Sequence, residues 1–457
     1  FLVNSEIRKK IRKVKKKSKS INIKNQNSII NKLEFTLTKD QNKALHEINK
    51  DLNSANKMFR LLQGDVGSGK TIVSLIAALN TINSGFQVAF MAPTEILARQ
   101  HYNLAKKIFS ENKKIEIISG KSEYKEKKEI LKKLENNKVD IIFGTHAIFQ
   151  KKVLFKKLGL IIIDEQHKFG VNQRKKLSDK GGPDCDVLLM TATPIPRTLT
   201  MTIYGDMDIS IIREKPKNRK PIKTYSKLES KIDDILKFIS KEINLGNQIF
   251  WVCPLIEESK KIDHSSAIKK FEFLKKKYPN QVGLLHGKTD IDKKEKILDD
   301  FLNKKFQILV STTIIEVGID FPNANVIIIE NANKFGLSQL HQLRGRVGRG
   351  NKDSTCILMF KTNLSENAKK RINILKETND GFIVSEEDMK IRGFGDVLGF
   401  KQSGIKNFKL ADPIHNSDLF LIAEKEMRRI EDSKESIAKF KPLIKLYDRA
   451  DIINDIA

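Results

Sequence analysis

MFRLLQGDVGSGKTIVSLIAAL (residues 58–79) indicates the fold of the first half of the chain. An apolar run, Met58–Leu62, leads into the glycine-rich loop Gly64–Thr71, and an apolar stretch of helical length, Thr71–Leu79, follows. The loop fits the pattern G-x-x-x-x-G-K-[ST], in which glycines let backbone N–H groups turn toward phosphate oxygens. A strand, a phosphate loop and a helix in this order predict a parallel α/β sheet with a nucleotide at the start of the helix.

The side chains of this loop indicate which nucleotide chemistry it serves. Lys70 would bring positive charge to the β and γ phosphates, and Thr71 would offer its hydroxyl to Mg²⁺. Gly64, Gly67 and Gly69 would allow the backbone to approach the anion closely. The loop therefore predicts a nucleoside triphosphate bound together with Mg²⁺.

Apolar runs alternate with amphipathic segments along most of the chain, which is typical of a parallel sheet with helices on both faces. The strands predicted in the first half are Met58–Gln63, Gln87–Ala92, Val139–Gly144, Gly159–Ile163 and Val187–Met190. A stretch rich in proline and charge, Arg213–Thr224, is predicted as a linker. The strands predicted after it are Gln248–Cys253, Gln281–Leu285, Phe306–Ser311, Val326–Glu330 and Thr355–Phe360. The sequence thus predicts an α/β protein with two parallel sheets and, from about residue 376, a charged helical tail.

DEQHKFG (residues 164–170) follows the apolar run Leu158–Ile163. The carboxyl end of a parallel strand is the edge of the sheet at which ligands bind. Taken alone, Asp164 and Glu165 fit a metal-binding pair, a hydrolytic centre or a helix cap in a polar turn. Because they follow a phosphate loop in the same predicted sheet, we interpret Asp164 as a magnesium ligand. Glu165 would polarise the attacking water.

QLHQLRGRVGRG (residues 339–350) places Arg344, Arg346 and Arg349 between glycines and apolar residues. A solvated basic turn is the alternative interpretation. Planar guanidinium groups on a second domain can stabilise the charge that develops during phosphoryl transfer. One domain with a phosphate cradle and another with arginines indicate a mechanical ATPase rather than a small-molecule kinase.

The composition favours a polyanionic partner. Among 457 residues, 85 Lys and Arg exceed 56 Asp and Glu, for a formal net charge of +29. This surplus points to nucleic acid, with lysines that merely cover the surface as the alternative. The 3 cysteines have no zinc-site or disulfide spacing, which fits a reducing cytosol, and no apolar run is long enough to span a membrane. We expect a cytoplasmic protein with no membrane partner.

Several motifs in the expected order make the chain resemble the superfamily 2 helicases. The segments that carry this resemblance are LTKDQ (37–41) after Phe35, APTEILARQH (92–101), GTHAIFQ (144–150), the DEAH-type motif DEQH (164–167), TATPIPRTL (191–199) and the stretch 311–350. DEQHKFGV, TATPIPRTL and ENANKFGLSQLHQLRGRVGRG (330–350) are more similar to one bacterial family within that group, the RecG DNA helicases. EEDMKIRGFGDVLGFKQSG (386–404) resembles the translocation motif that RecG shares with the transcription-repair coupling factor. FKLADPIHNSDLFLIAEKEM (408–427) favours RecG.

The resemblance implies roles for individual residues. For catalysis it implies Glu165 as base, Arg346 and Arg349 as arginine fingers, and Gln342 at the nucleotide interface. For nucleotide binding it implies Phe35, Gln41, Gly64, Gly67, Gly69, Lys70, Thr71 and Asp320. For magnesium binding it implies Thr71 and Asp164. For coupling between ATP and DNA it implies Gln166, His167, Thr191, Thr193, Arg392 and Gln402. For DNA phosphates it implies Pro93, Thr94, Arg99, Gly144, Thr145, Thr312 and Thr313.

The resemblance also implies an organisation and a function. Two tandem RecA-like domains, 35–212 for ATP and 213–375, would follow a basic connector, 1–34, and precede a translocation hairpin and helical tail, 376–457. A basic helix at 7–17 is predicted in the connector, with a disordered tail as the alternative. The chain starts with Phe, so we expect a fragment that lacks most or all of the N-terminal wedge domain of RecG proteins. The implied function is ATP-dependent translocation on duplex DNA that remodels stalled forks and Holliday junctions.

Other machines use similar motors, and they remain as alternatives. These are the motor of a transcription-repair coupling factor, an ATP-driven protein translocase and a bare nucleotide-binding module. The RecG resemblance implies double-stranded and branched DNA as partners in the bacterial nucleoid, and it allows a single-stranded DNA-binding protein as another. We expect a monomer, because one chain supplies both halves of the nucleotide cleft.

Overall fold

The structure is a computed structural model that describes most of the chain. The described residues are 14–33, 35–109, 111–119, 124–150, 152–165, 181–196, 207–216, 219–254, 262–287, 289–312, 321–348, 350, 352–392, 416–432 and 439. Their contacts divide the chain into two compact units, one of residues 1–215 and 392–457 and the other of residues 216–391.

The first unit is built around a seven-stranded sheet in which every described pairing is parallel. The strands are β1 (Phe59–Gly64), β2 (Gln87–Met91), β3 (Ile115–Ile118), β4 (Ile141–Gly144), β5 (Leu158–Ile163), β6 (Asp186–Thr191) and β7 (Asp208–Ile212). Their order across the sheet is β3-β4-β2-β5-β6-β1-β7. The helices are α1 (Ile23–Ile30), α2 (Lys39–Asn53), α3 (Lys70–Asn83), α4 (Glu95–Ile108) and α5 (Tyr124–Glu135).

Both faces of this sheet are covered, which explains the continuous apolar runs of its central strands. All residues of β5 and β6 are buried. Successive side chains of β5 belong to different cores: Ile162 packs in the cluster that contains α3, and Ile163 packs in the cluster on the opposite face. The layered α/β architecture predicted for the first half of the chain is confirmed.

The second unit is built around a six-stranded sheet of parallel pairings in the order β10-β11-β9-β12-β13-β8. Its strands are β8 (Lys223–Leu228), β9 (Gln248–Val252), β10 (Val282–Leu285), β11 (Ile308–Ser311), β12 (Ala324–Ile329) and β13 (Thr355–Phe360). The helices of this unit are α6 (Ile232–Asn244), α7 (Ile262–Lys277), α8 (Ile291–Leu302), α9 (Leu337–Arg344), α10 (Glu366–Glu377) and α11 (Gly381–Arg392). A further helix, α12 (Ser417–Asp432), belongs to the first unit. The second predicted sheet and the helical tail are also confirmed.

Three strands, β3, β7 and β8, were not predicted from the sequence, and all three lie at an edge of their sheet. An edge strand buries only part of its surface, so it need not be a continuous apolar run. In β8, for example, Lys223, Tyr225 and Lys227 are exposed and alternate with half-buried residues. Because β8 starts at Lys223, the predicted linker Arg213–Thr224 is too long at its carboxyl end.

The two ends of that predicted linker attach to different units. The N–H groups of Arg213 and Glu214 donate to Oδ2 of Asp40, at 2.8 and 3.0 Å, within the first unit. Arg219 donates to the carbonyl oxygens of Gly348 and Gly345, at 3.1 and 3.3 Å, within the second unit.

The helix predicted at 7–17 is wrong from Val14 onward, and residues 1–13 lie outside the described part. Lys15 forms an antiparallel bridge with Asn56, and the N–H of Lys19 donates to the carbonyl oxygen of Leu52 at 2.9 Å. The segment 14–20 is therefore extended, while α1 lies further along the predicted basic connector, 1–34. A helical spacing among lysines misled the prediction, because Lys16 and Lys19 are buried rather than solvated.

Both buried lysines bind the same carboxylate, Asp186, at the amino end of β6. Nζ of Lys16 lies 2.8 and 2.6 Å from the two carboxylate oxygens, and Nζ of Lys19 lies 2.6 Å from Oδ2. The N–H of Met58 donates to Oδ1 at 2.7 Å. This cluster fastens the connector to the amino edge of the first sheet. No helix within the described ranges is long and apolar enough to cross a membrane.

Candidate nucleotide-binding site

The phosphate loop joins the end of β1 to the first turn of α3. Gly67 and Gly69 have φ angles of 74° and 84°, a region that glycine adopts without steric cost. A Cβ atom at Gly69 would also collide with Nε2 of Gln41, and one at Gly64 would collide with Oγ of Ser68. The positive φ angles of Gly67 and Gly69, and the close approach of Ser68 to Gly64, therefore favour glycine at all three positions of the loop.

Lys70 is the first residue of α3, and its ammonium group lies within the loop. Its Nζ donates to the carbonyl oxygens of Gly64 and Asp65, at 2.8 and 2.9 Å. The Asp65 carboxylate forms an ion pair with Lys215 at 2.8 Å. Thr71 follows in the same turn at a half-buried position. A fixed ammonium group at a helix N-terminus is suited to phosphate oxygens.

Gln41, predicted to contact adenine, is held against the phosphate loop. It is 1% exposed, and its Nε2 donates to the carbonyl oxygen of Ser68 at 2.8 Å. Its Oε1 accepts from the N–H of Thr38, while the Thr38 hydroxyl caps α2 by accepting from the N–H of Gln41. Phe35, the other residue predicted to contact adenine, is 38% exposed. Only Gln41 of this pair is thus tied to the loop by a described hydrogen bond.

Asp164 follows β5 at the carboxyl edge of the sheet and is buried. Its N–H donates to the carbonyl oxygen of Met91 at 2.9 Å. Its Oδ2 lies 2.9 Å from Nε2 of His101, and its Oδ1 accepts the N–H of Glu165 at 3.0 Å. Burial by itself would raise the pKa of Asp164, but the hydrogen bond with His101 and the charges of His101 and Lys70 outweigh it. The pKa is therefore held below its usual value, and the carboxylate stays ionised.

Glu165 connects the ends of β5 and β6. Its φ angle of 52° is unusual for a residue with a side chain, and such conformations cluster at functional sites. Its Oε2 accepts the N–H of Ala192 at 3.4 Å. The hydroxyl groups of Thr191 and Thr193 lie 2.9 Å apart in the same segment. The structure thus brings the predicted base together with the two threonines predicted to couple ATP to DNA.

The segments of the first unit that were predicted to contact DNA lie at the same edge as Asp164. The N–H of Ala92 donates to the carbonyl oxygen of Gly144 at 2.9 Å, so the residues that follow β2 and β4 are neighbours. Thr94 is the N-cap of α4, and Arg99 is exposed on that helix. The half-buried residues of these segments are Pro93, Thr94 and Thr145.

The arginine-rich motif of the second unit has one clearly structural member. Arg344, at the end of α9, donates to the carbonyl oxygens of Leu375 and Thr378, at 2.6 and 2.9 Å, and its Nη2 lies 2.9 Å from Nδ1 of His341. These bonds hold the end of α10. Arg346 is 2% exposed, and Gln342 is half-buried.

The remaining predicted residues divide into described and undescribed ones. Thr312 is buried directly after β11, and Arg392 is exposed at the end of α11. The predicted residues that lie outside the described part of the chain are Gln166, His167, Thr313, Asp320, Arg349 and Gln402.

Two residues of this edge were missed by the sequence analysis. His101 is a buried polar position on the apolar face of α4, and it contacts Asp164. Gln63 is a buried residue one position before the end of β1, and its Nε2 donates to the carbonyl oxygen of Ile195 at 2.7 Å. The available signal was the same in both cases, a hydrogen-bonding side chain at a position where the local pattern calls for an apolar one.

Three family models match successive parts of the chain. They are "DEAD/DEAH box helicase" at residues 38–202, "Helicase conserved C-terminal domain" at residues 230–351 and "ATP-dependent DNA helicase RecG, domain 3, C-terminal" at residues 378–446. The ATP-dependent DNA helicase RecG of Bacillus subtilis is 50% identical over 390 residues, which cover 85% of this chain and 57% of that protein. The chain belongs to the RecG family.

Other members of the RecG family extend the match. The RecG of Aquifex aeolicus is 44% identical over 453 residues, which cover 96% of this chain and 56% of that protein. A structure of RecG bound to a three-way DNA junction superposes with a TM-score of 0.77 and 41% identity, covering 92% of this chain and 55% of that one. A structure of Saccharomyces cerevisiae Dbp5, at 19% identity and a TM-score of 0.55, shares the fold. The chain spans about half the length of the curated relatives it matches.

Proposed function

We propose that this chain is the motor of an ATP-dependent double-stranded DNA translocase that remodels stalled replication forks and recombination junctions. The observation that carries the proposal is the carboxyl edge of the first sheet. There Lys70, Asp164 and Glu165 lie beside the segments Ala92–Thr94 and Gly144–Thr145. Membership of the RecG family supports DNA, rather than another polymer, as the ligand of those segments.

The residues of this edge fit a nucleotide with Mg²⁺. Magnesium bound with a nucleotide takes one or two carboxylates and phosphate oxygens, and Asp164 offers an ionised carboxylate with acceptor capacity beyond its bonds to His101 and Glu165. Thr71 would add its hydroxyl, while Gln41 and Phe35 would contact adenine. The metal, when bound with ATP, supplies positive charge to the phosphate oxygens.

The protein's own groups would carry the proton and charge transfers. Glu165 would accept the proton of the attacking water, from a backbone conformation fixed between β5 and the Thr191–Thr193 segment. Lys70 would neutralise phosphate charge. Arg346 and Arg349 would stabilise charge on the transferred phosphoryl group, with Gln342 at the nucleotide interface and Asp320 as a further contact.

The DNA backbone would lie along the loops that follow the strands. Pro93, Thr94, Arg99, Gly144 and Thr145 would contact it from the first unit, and Thr312 and Thr313 from the second. Contacts of this kind position a duplex without reading its sequence, in keeping with the net charge of +29. Gln166, His167, Thr191, Thr193, Arg392 and Gln402 would relay the state of the nucleotide to the DNA.

The match to RecG domain 3 at residues 378–446 favours a RecG-type motor over a transcription-repair motor or a protein translocase. We further propose that the chain acts as a monomer in the bacterial nucleoid and that a single-stranded DNA-binding protein is a partner. Sedimentation velocity with and without that protein tests both statements, with one protomer per particle expected in its absence.

Steady-state ATPase assays test the proposed function. We expect low activity without nucleic acid, strong stimulation by duplex DNA and by branched junctions, and weak stimulation by RNA. DNA affinity should fall steeply with salt, because the proposed contacts are mainly to phosphates. An ATPase rate that is the same with every nucleic acid would contradict the proposal.

A further inference from the structure

Nε2 of His101 lies 2.9 Å from Oδ2 of Asp164, the carboxylate proposed to bind magnesium. The imidazole is 6% exposed, and its ring centroid is 4.8 Å from that of Phe90 in β2. The other carboxylate oxygen of Asp164 accepts the N–H of Glu165. With one bond to each oxygen, the rotation of the carboxylate is fixed. Glu165 is the next residue in the chain, whereas His101 belongs to a separate element, α4.

His101 lies on α4, the helix that begins in the segment proposed to contact DNA. Thr94 caps the helix, and Arg99 is exposed one turn beyond it. Thr94 and His101 are separated by about 10 Å of regular helix, which moves as a rigid element. A displacement of the helix N-terminus by a DNA phosphate would therefore be transmitted to the imidazole.

A backbone hydrogen bond also connects Asp164 to the segment that leads into α4. The N–H of Asp164 donates to the carbonyl oxygen of Met91, and the chain runs from Met91 directly into Pro93 and Thr94. The backbone of Asp164 is thus fixed relative to β2, whereas its carboxylate is fixed relative to α4. Movement of α4 against β2 would turn the carboxylate without moving its backbone.

We propose that His101 is a positioning residue that couples DNA contact along α4 to the orientation of the magnesium-binding carboxylate of Asp164. This inference rests on the proposed function. Groups that hold a metal-binding side chain in this way commonly contribute 10- to 100-fold to metal affinity or activity. DNA would stimulate hydrolysis by setting α4, and through His101 the carboxylate, in the orientation that receives the metal with its nucleotide.

Three variants separate this role from simple packing. His101→Phe keeps an aromatic ring against Phe90 and removes the hydrogen bond. His101→Gln places an amide nitrogen within similar reach of Asp164 and restores it. Tyr102→Phe, one residue along, is the matched control, because Tyr102 packs edge-on against Phe143 and does not contact Asp164.

The first measurement is binding of a fluorescent ADP analogue at increasing Mg²⁺ concentrations, without DNA. His101→Phe should need at least about 10-fold more Mg²⁺ to reach the same affinity, while its affinity in EDTA stays as in the wild type. His101→Gln should recover most of the difference, and Tyr102→Phe should match the wild type. A wild-type Mg²⁺ response in His101→Phe would overturn the inference.

The second measurement is the ratio of ATPase rates with and without duplex DNA at saturating Mg²⁺. His101→Phe should lose about 10-fold or more of the stimulation even at saturating Mg²⁺, and His101→Gln should keep the stimulation. If DNA stimulates His101→Phe fully and the variant only has a lower melting temperature, His101 contributes packing alone. That result would overturn the inference. If the proposed function itself is wrong, the ATPase rate of the wild-type protein will not change when duplex DNA is added.

Discussion

Two buried carboxylates on neighbouring strands of the first sheet have opposite surroundings. Asp186, at the amino end of β6, receives two bonds from Lys16, one from Lys19 and one from the N–H of Met58. Asp164, beyond the carboxyl end of β5, receives one bond from His101 and one from the N–H of Glu165 among the described residues. Both aspartates are buried, but only the carboxylate of Asp164 can accept further bonds from a ligand.

The number of donors distinguishes the amino edge of the sheet, which stabilises the fold, from the carboxyl edge, which we assign to chemistry. A carboxylate has about four lone-pair sites, and the four bonds to Asp186 use all of them, so no ligand can be added. Asp164 has sites to spare, and its pKa is kept low by His101 and Lys70 against the effect of burial. Burial and charge alone do not distinguish a catalytic carboxylate from a structural one, whereas the number of donors that already bind it does.

The largest change in ATP turnover is expected for a substitution at the carboxyl edge of the first sheet. Glu165→Gln should lower ATP turnover by about 10³-fold or more, because the proposed base can no longer accept a proton. Binding of a fluorescent ATP analogue and the melting temperature should stay near the wild-type values. Loss of nucleotide binding in this variant would show that Glu165 shapes the site rather than the reaction.

The next largest effect, a loss of stability, is expected for a substitution at the amino edge of the first sheet. Asp186→Asn leaves two ammonium groups buried without a counter-charge, which should cost about 3–5 kcal/mol of stability. Cys185, the neighbouring residue, gives a local measurement, because burial raises the pKa of its thiol to about 12 and keeps it unreactive. Its alkylation in the native protein, followed by mass spectrometry, should accelerate by at least about 100-fold.

The other two cysteines of the same protein serve as controls for the alkylation experiment. Cys253 and Cys356 are buried in the second unit, and their alkylation should not change in Asp186→Asn. Equal acceleration of all three thiols would indicate global unfolding instead of loss of the connector.

A smaller effect is expected for Lys16→Met. Asp186 keeps Lys19 and the N–H of Met58, so stability should fall by about 1–2 kcal/mol and alkylation of Cys185 should accelerate about 5- to 30-fold. Lys133→Met is the matched control, since it removes one lysine and its ion pair with Glu129 at an exposed site. An equally large effect of Lys133→Met would mean that lysine number, rather than burial at Asp186, is responsible.

The smallest effect concerns pH. Burial lowers the pKa of Lys16 because it removes the ammonium group from water, and repulsion from Lys19 lowers this pKa further. The attraction of Asp186 raises the pKa but does not outweigh these two effects. The folded state therefore binds this proton less tightly than the unfolded state, whose lysine pKa is about 10.4. Wild-type stability should rise relative to Lys16→Met as pH increases toward that value. The ratio of their Cys185 alkylation rates, measured at neutral and alkaline pH, should shift in favour of the wild type, and a shift in the opposite direction would contradict the assignment.

The sequence predicted the parts of the fold that are buried on both faces. β5 and β6 are continuous apolar runs because helices cover both sides of the sheet, and the phosphate loop is specified by glycines that the backbone requires. The edge strands β3, β7 and β8 have no such pattern. Their pairing depends on neighbours that are distant in the sequence.

The missed interactions share one cause. Lys16 and Lys19 resemble surface lysines, and their burial follows only from Asp186, which lies far along the chain. His101 resembles an ordinary polar interruption of an apolar helix face until β5 places Asp164 beside it. A pattern within one segment cannot reveal a charge pair or hydrogen bond that two distant segments create on folding.

A crossed comparison of Asp164→Asn and Asp186→Asn separates the catalytic role of one carboxylate from the structural role of the other. For each variant, the Mg²⁺ dependence of fluorescent ADP binding and the native alkylation rate of Cys185 are measured on one preparation. This division of roles predicts that Asp164→Asn loses the Mg²⁺ response and keeps Cys185 protected, whereas Asp186→Asn exposes Cys185 and keeps the Mg²⁺ response in its folded fraction. An Asp164→Asn variant that retains the Mg²⁺ response while exposing Cys185 would contradict it.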